Sequence, residues 1–172
     1  PAALLDDHRR SQRQQGRAGD ATEFLTRQNL RPAAYFREGK TPVLPDGRVH
    51  LFCEELVAGL LEESDHGEDG LRGRAAEEVF EEAGYRVDAA AISLLGPPFF
   101  VAPGIISEKL YLACVDVTGL TAEAPAGDGS PLEEGGSTRW RTRASLEAAL
   151  ADGTIQDAKT EIALARFTRR SG

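Results

Sequence analysis

Several residue types are scarce in this sequence, and each scarcity excludes a class of protein. No apolar run approaches the roughly 20 residues that cross a bilayer, and no signal peptide opens the chain, so we expect no membrane partner. The only cysteines, Cys53 and Cys114, form no CxxC pair, which indicates reduced thiols in the cytoplasm. Methionine is absent, so Pro1 is not a translation start and we expect N-terminal residues to have been removed.

Positive charge is also in deficit. Lys and Arg number 20 against 28 Asp and Glu, a formal net charge of -8. This balance argues against binding to a nucleic-acid polymer, because proteins that coat nucleic acid neutralise its phosphates with Lys and Arg. A phosphorylated small molecule can still bind if a divalent metal reverses the local charge.

The pattern of apolar residues predicts strands and helices without regular alternation. Strands are predicted over residues 1–6, 24–28, 49–57, 87–95, 110–117 and 139–142. Helices are predicted over residues 71–83, 145–151 and 157–169, with Ser145 and Asp157 as caps. Loops are predicted over residues 7–20, 39–47 and 121–136. This mixture favours an α/β fold with a mixed sheet flanked by helices.

Residues 77–85 carry the most informative pattern, EEVFEEAGY. In a helix, Glu78, Glu81 and Glu82 are three or four positions apart, so their carboxylates converge on one side. Mg²⁺ prefers oxygen ligands and commonly takes one or two carboxylates plus substrate phosphates. Most charge runs are solvated surface. Here, however, like charges near a helix C-terminus repel one another and oppose the helix dipole, so a bound cation would stabilise the helix.

With Gly59 before it, this helix resembles the Nudix box, whose pattern is G-x5-E-x7-R-E-U-x-E-E-x-G-U, with U an apolar residue. Gly59 matches the opening glycine, and the end of the pattern matches Glu78, Val79, Glu81, Glu82, Gly84 and Tyr85.

The chain departs from the box at two places. The stretch between its two halves is longer than the pattern, with residues 64–67 as the insertion. Glu77 stands where the family has an arginine that orients a neighbouring glutamate. Arg74 lies four residues before Glu78 and is the expected substitute.

Three further segments resemble the ADP-ribose and nucleoside-diphosphate-sugar pyrophosphatases of the Nudix superfamily. Residues 27–35, RQNLRPAAY, resemble a segment whose arginine contacts the substrate diphosphate. Residues 102–108, APGIISE, resemble a loop that presents Glu108 to the site. Residues 153–160, GTIQDAKT, resemble the segment that opens the last helix, and we interpret them as structural and outside the site.

The resemblance implies a Nudix fold, in which a mixed β-sheet is sandwiched between helices (α/β/α). It implies a single domain over residues 1–172, with an N-terminal strand segment over residues 1–40 and the box over residues 58–85. Because that subgroup is typically dimeric through exchanged N-terminal strands, we also expect a homodimer.

The resemblance further implies a reaction. It is the Mg²⁺-dependent hydrolysis, with Mn²⁺ as a substitute, of the diphosphate bond of a nucleoside diphosphate sugar. ADP-ribose, which would give AMP and ribose 5-phosphate, is the leading substrate, and GDP-mannose and UDP-glucose are the alternatives. The competing class is a Nudix-fold sensor that binds a nucleotide sugar without cleaving it.

The site residues are carried over position by position. The implied metal ligands are Glu78, Glu81, Glu82 and the carbonyl of Ala58. The implied substrate contacts are Arg27, Arg31, Glu55 and Glu108. The catalytic candidates are Glu81 and the two loop acids Glu133 and Glu134, either of which can serve as the base.

Overall fold

The computed structural model describes residues 2–8, 22–37, 39–41, 43–44, 47–125 and 136–171. The described strands are β1 (Ala2–His8), β2 (Thr22–Leu30), β3 (Phe52–Leu56), β4 (Ser93–Leu94), β5 (Phe99–Phe100), β6 (Lys109–Leu110), β7 (Leu112–Asp116) and β8 (Ser137–Thr142). The described helices are α1 (Pro32–Tyr35), α2 (Gly67–Ala83), a 3-10 helix (Ala89–Ala91), α3 (Arg143–Ala151) and α4 (Ala158–Ser171). Among these residues, none of the helices has the length and apolar character that crossing a membrane requires.

A mixed sheet of six strands lies at the centre of the fold. Its order is β3-β2-β1-β7-β4, and β8 pairs with β2. Strand β1 runs parallel to β7, with Ala2 opposite Leu112, whereas the other pairs are antiparallel. Strands β5 and β6 form a separate two-stranded sheet.

The two faces of the central sheet bury different apolar clusters, because side chains alternate along each strand. Phe24 and Leu112 pack on one face against apolar residues of α3 and α4. Leu25 and Ala113, their neighbours in sequence, pack on the other face against α2. The sheet is therefore sandwiched between helices, which confirms the predicted α/β/α fold.

Helix α2 begins at Gly67, four residues before the predicted start, and ends at Ala83 as predicted. The apolar residues at every fourth position from Leu71 to Ala83 are buried, and Ala75, Val79 and Ala83 pack against the sheet. Gly84 follows with a φ of 76°, and its N–H donates to the carbonyl of Phe80 at 2.9 Å. Glycine ends the helix here because other residues rarely adopt this left-handed conformation.

Three local predictions are corrected by the structure. Residues 87–95 contain only the short strand β4, because the Asp88 carboxylate accepts a hydrogen bond from the Ala90 N–H (2.9 Å) and starts the 3-10 helix. The cap of α3 is Thr142 and not Ser145, since the Thr142 hydroxyl accepts from the Ser145 N–H at 3.2 Å. The strand predicted over residues 49–57 is confined to β3.

Neither cysteine forms a disulfide, and both are half-buried, which agrees with the prediction of free thiols. Burial and then the negative charge of Glu55 raise the pKa of the Cys53 thiol above its ordinary 9.0. The thiol is therefore protonated and a poor nucleophile at neutral pH.

Candidate active site

Helix α2 places Glu78 directly against the backbone of Gly59. A Cβ atom at position 59 would overlap the Glu78 carboxylate. Any larger residue there would force the carboxylate away, so glycine is required for this approach. The two halves of the predicted box therefore meet in space, although the sequence between them is longer than the pattern.

Glu82, one turn further along α2, is buried, with 4% of its surface exposed. Its Oε2 accepts a hydrogen bond from the Ala58 N–H at 3.0 Å. Its Oε1 lies 2.8 Å from Nη1 of Arg27, which is itself buried on β2. Glu78 and Glu82 thus converge on the Ala58–Gly59 backbone, and Arg27, predicted as a substrate contact, lies against Glu82.

These residues fit a hard divalent cation. Two carboxylates beside a backbone segment match the usual protein contribution to a Mg²⁺ site, in which water and substrate phosphates complete the coordination. The two contacts hold the Glu82 carboxylate in place beside this backbone, with Oε2 on the Ala58 N–H and Oε1 on Arg27. Glu81 is half-buried on the same helix. Within the described residues, no group of three or more His, Cys, Asp or Glu side chains is placed so that it could hold a metal ion.

Arg74, the expected substitute for the box arginine, has another role. It forms ion pairs with Glu62 (3.2 Å), Asp65 (3.0 Å) and Glu77 (3.1 Å). The hydrogen bonds that Asp65 accepts from the Glu62 N–H and from Arg74 hold the pKa of that carboxyl below its usual 3.8. Arg74 therefore fastens the inserted loop to α2, and the described ion pairs do not join it to Glu78.

A cavity of about 350 Å³ opens beside the Ala58–Gly59 backbone. This volume is within the range of small-molecule sites. Arg31 and Glu108, two of the predicted substrate contacts, both line it, and Val101, Ile106 and Leu110 supply apolar surface.

Glu55, another predicted substrate contact, is buried with 2% of its surface exposed. Its Oε1 accepts from Asn29 Nδ2 at 2.8 Å and pairs with Arg31, and its Oε2 accepts from Lys159 Nζ at 3.1 Å. Glu55 therefore holds the two cations that border the cavity.

Residues of the last helix also line the cavity, which corrects the interpretation of that segment as outside the site. Asp157 caps α4 as predicted, because its Oδ2 accepts from the Thr160 N–H (2.9 Å) and hydroxyl (2.7 Å). Asp157, Ala158 and Lys159 nevertheless form part of the cavity wall. The GTIQDAKT segment already contained Lys159, but only the fold shows that the start of this helix lines the same cavity as Arg31.

The two loop acids predicted as the base, Glu133 and Glu134, lie outside the described residues. Gly136, where the description resumes, lies against Arg27: a Cβ there would come 3.0 Å from both Nε and Nη2.

Comparison with known proteins identifies the fold. No family model matches the chain, and no curated protein resembles its sequence closely enough to count as a relative. Among solved structures, the crystal structure of an ADP compounds hydrolase is similar, with a TM-score of 0.64 over 98% of this chain and 70% of the other. The chain has a Nudix-like fold. The two sequences are 15% identical, so the likeness concerns the fold and not the substrate.

Proposed function

We propose that the protein is a Mg²⁺-dependent Nudix hydrolase that cleaves the diphosphate bridge of a nucleoside diphosphate sugar. ADP-ribose is the proposed first substrate, with AMP and ribose 5-phosphate as products. The observation that carries this proposal is that the carboxylates and the cavity lie at the same backbone segment. Glu78 and Glu82 approach Ala58–Gly59 from α2, and the cavity bordered by Arg31 opens beside it.

The charges of the cavity support a metal requirement. Two cations, Arg31 and Lys159, line it together with two acids, Glu108 and Asp157. These charges cancel, and the carboxylates of α2 add negative charge nearby. A diphosphate would therefore be repelled unless divalent cations accompanied it.

Mg²⁺, or Mn²⁺ in its place, would be held by Glu78, Glu81, Glu82 and the Ala58 carbonyl, and when bound would neutralise the diphosphate and lower the pKa of a water ligand. Arg31 would bind the diphosphate through the planar fork of its guanidinium. Buried Glu55 would hold that fork in position, and Glu108 would contact the substrate from the opposite loop. Glu134 or Glu133 would take the proton of the attacking water.

The test is a product analysis with ADP-ribose, GDP-mannose and UDP-glucose in the presence of Mg²⁺. We expect two phosphomonoesters from the preferred substrate, none after chelation of the metal, and none from a Glu78→Gln/Glu82→Gln variant. ADP plus free ribose would place the cleavage at the sugar ester and refute the reaction class. Tight binding of a nucleotide sugar without product would support a sensor.

We further propose that the enzyme works as a cytoplasmic homodimer. The two free cysteines fit a reducing compartment. Phe36 and Val49 are 71% and 61% exposed, and Phe52 on strand β3 is 41% exposed, so apolar surface is available for a second copy. Light scattering on the purified protein should give twice the mass of the chain, and a monomer at all concentrations would exclude the dimer.

A further inference from the structure

Arg27 is an arginine buried at the centre of the fold. It lies on strand β2 with 6% of its surface exposed, and Glu82, 2.8 Å away, is equally buried. A buried charge is costly unless it is paired. One partner of this arginine, Glu82, is among the carboxylates that converge on Ala58 and Gly59.

We propose that Arg27 is a positioning residue that fixes Glu82 as a metal ligand, in place of the arginine that is missing at position 77. This inference rests on the proposed function only in supposing that Glu82 binds a divalent cation. Arg27 lies on strand β2, so it contacts Glu82 from the sheet and not from within helix α2.

Two observations exclude the other candidates for this role. The side chain at position 77 is 61% exposed and pairs with Arg74, so it faces away from buried Glu82. Arg74 is held by Glu62 and Asp65 as well. Arg27, by contrast, pairs with a carboxylate that also contacts the Ala58 backbone.

The surroundings of Arg27 argue against direct contact with substrate. The Gly136 backbone approaches its guanidinium so closely that a Cβ would lie 3.0 Å from Nε and Nη2. Glu82 occupies another edge. Arg31, by contrast, has 40% of its side chain exposed and borders the cavity. The two arginines of this segment therefore have different roles. Arg27 positions the metal ligand Glu82, and Arg31 binds the substrate diphosphate.

The geometry also explains how Arg27 acts. Glu82 is held at both oxygens, by Arg27 at Oε1 and by the Ala58 N–H at Oε2. A carboxylate fixed in this way loses little rotational freedom when a cation binds. Partners that orient metal ligands typically change affinity or activity by about 10–100-fold when they are removed.

The experiment compares Arg27→Gln with the parent in two measurements. The first is a Mg²⁺ titration of the melting temperature without substrate, and the second is the separation of kcat from KM. We expect the half-saturating Mg²⁺ concentration to rise by about 10–100-fold and kcat to fall by a similar factor, with KM unchanged. Arg27→Lys should lie between parent and Arg27→Gln, because it keeps the charge and loses the fork.

Arg141→Gln is the matched control. Arg141 pairs with Glu54 on the α3 and α4 face, and their side chains are 11% and 6% exposed, so the variant breaks a similarly buried pair away from α2. It should lower the melting temperature without changing the Mg²⁺ midpoint. If Arg27→Gln behaves in the same way, or if it raises KM as Arg31→Gln should, the inference is overturned.

Three further outcomes are also decisive. If Arg27→Gln does not fold, Arg27→Lys is measured in its place, and an unchanged Mg²⁺ midpoint rejects the inference. If the parent hydrolyses no nucleotide sugar, the proposed function fails, whereas the Mg²⁺ titration still decides the role of Arg27. A parent that shows no Mg²⁺-induced shift overturns the inference as well.

Discussion

Lys159 Nζ lies 3.1 Å from Glu55 Oε2, so the first turn of α4 is joined by an ion pair to strand β3 behind the cavity. Burial lowers the pKa of Lys159, but the negative charges of Glu55 and Asp157 and the hydrogen bonds to them outweigh burial. The lysine pKa therefore lies above its ordinary 10.5. A lysine with a raised pKa stabilises the fold below the unfolded value and loses that contribution as pH rises through the folded value.

Lys159→Met should therefore destabilise the protein most at neutral pH, by roughly 1.5–3 kcal/mol for lost hydrogen bonds between charged groups. The difference from the parent should shrink as pH rises past 10.5. Urea unfolding at a series of pH values measures both. Lys109→Met removes an exposed lysine from strand β6 and should show neither effect. A constant difference at all pH values would contradict the assignment.

Glu54 and Arg141 form a second buried pair, which joins strand β3 to strand β8. Burial raises the pKa of Glu54, but hydrogen bonds from Arg141 and Thr26 and the charge of Arg141 outweigh it and hold the pKa below 4.5. A carboxyl with a depressed pKa stabilises the fold above its unfolded value, and this contribution disappears as pH falls through the folded value.

Glu54→Gln should accordingly lose about 3–5 kcal/mol at neutral pH, because it leaves Arg141 buried without its charge partner. The loss of stability relative to the parent should begin to shrink as pH falls below 4.5, and it should shrink further as the folded parent's Glu54 is protonated at its lower pKa. Glu123→Gln breaks the exposed pair with Arg86 and should change stability little. Unfolding free energy is measured at neutral and acid pH. If Glu54→Gln lowers it equally at both, the ionised pair does not make the parent's stability depend on acid pH.

A feature could be predicted from the sequence when the residues that form it lie close together in the chain, and not when they lie far apart. The start and end of α2 depend on residues within a few positions of one another, so its C-terminus and buried face were predictable. The 3-10 helix was missed because one Asp88 hydrogen bond outweighs an apolar strand pattern. Lys159 and the Arg27–Glu82 pair could not be predicted, since their partners lie 104 and 55 positions away and meet only through the sheet.

Mg²⁺ should raise the melting temperature of the parent, because it binds the folded ligand set and not the unfolded chain. At 100 times the dissociation constant the shift should be about 5–10 °C. Glu78→Gln/Glu82→Gln should abolish it. Glu68→Gln/Glu77→Gln removes the same charge from exposed positions of the same helix and should retain it. An equal shift in both double variants would place the metal elsewhere.

Gly59→Ala tests the approach of the Glu78 carboxylate to the backbone without altering any charge. The added Cβ would overlap that carboxylate, so Glu78 must move and the ligand set is distorted. We expect kcat to fall by at least about tenfold, as for other disturbances of groups that orient metal ligands. Mg²⁺ affinity, read from the melting temperature, should fall in parallel.

Gly73→Ala is the control, since a Cβ at position 73 of α2 meets nothing within 4 Å. Replacing a glycine inside a helix should stabilise the protein by about 0.5–1 kcal/mol and leave activity unchanged. The pair of variants therefore separates the effect of a methyl group from the effect of its position. If Gly59→Ala keeps full activity and Mg²⁺ affinity, the contact between Glu78 and Gly59 is not required, and Glu78 is not one of the metal ligands.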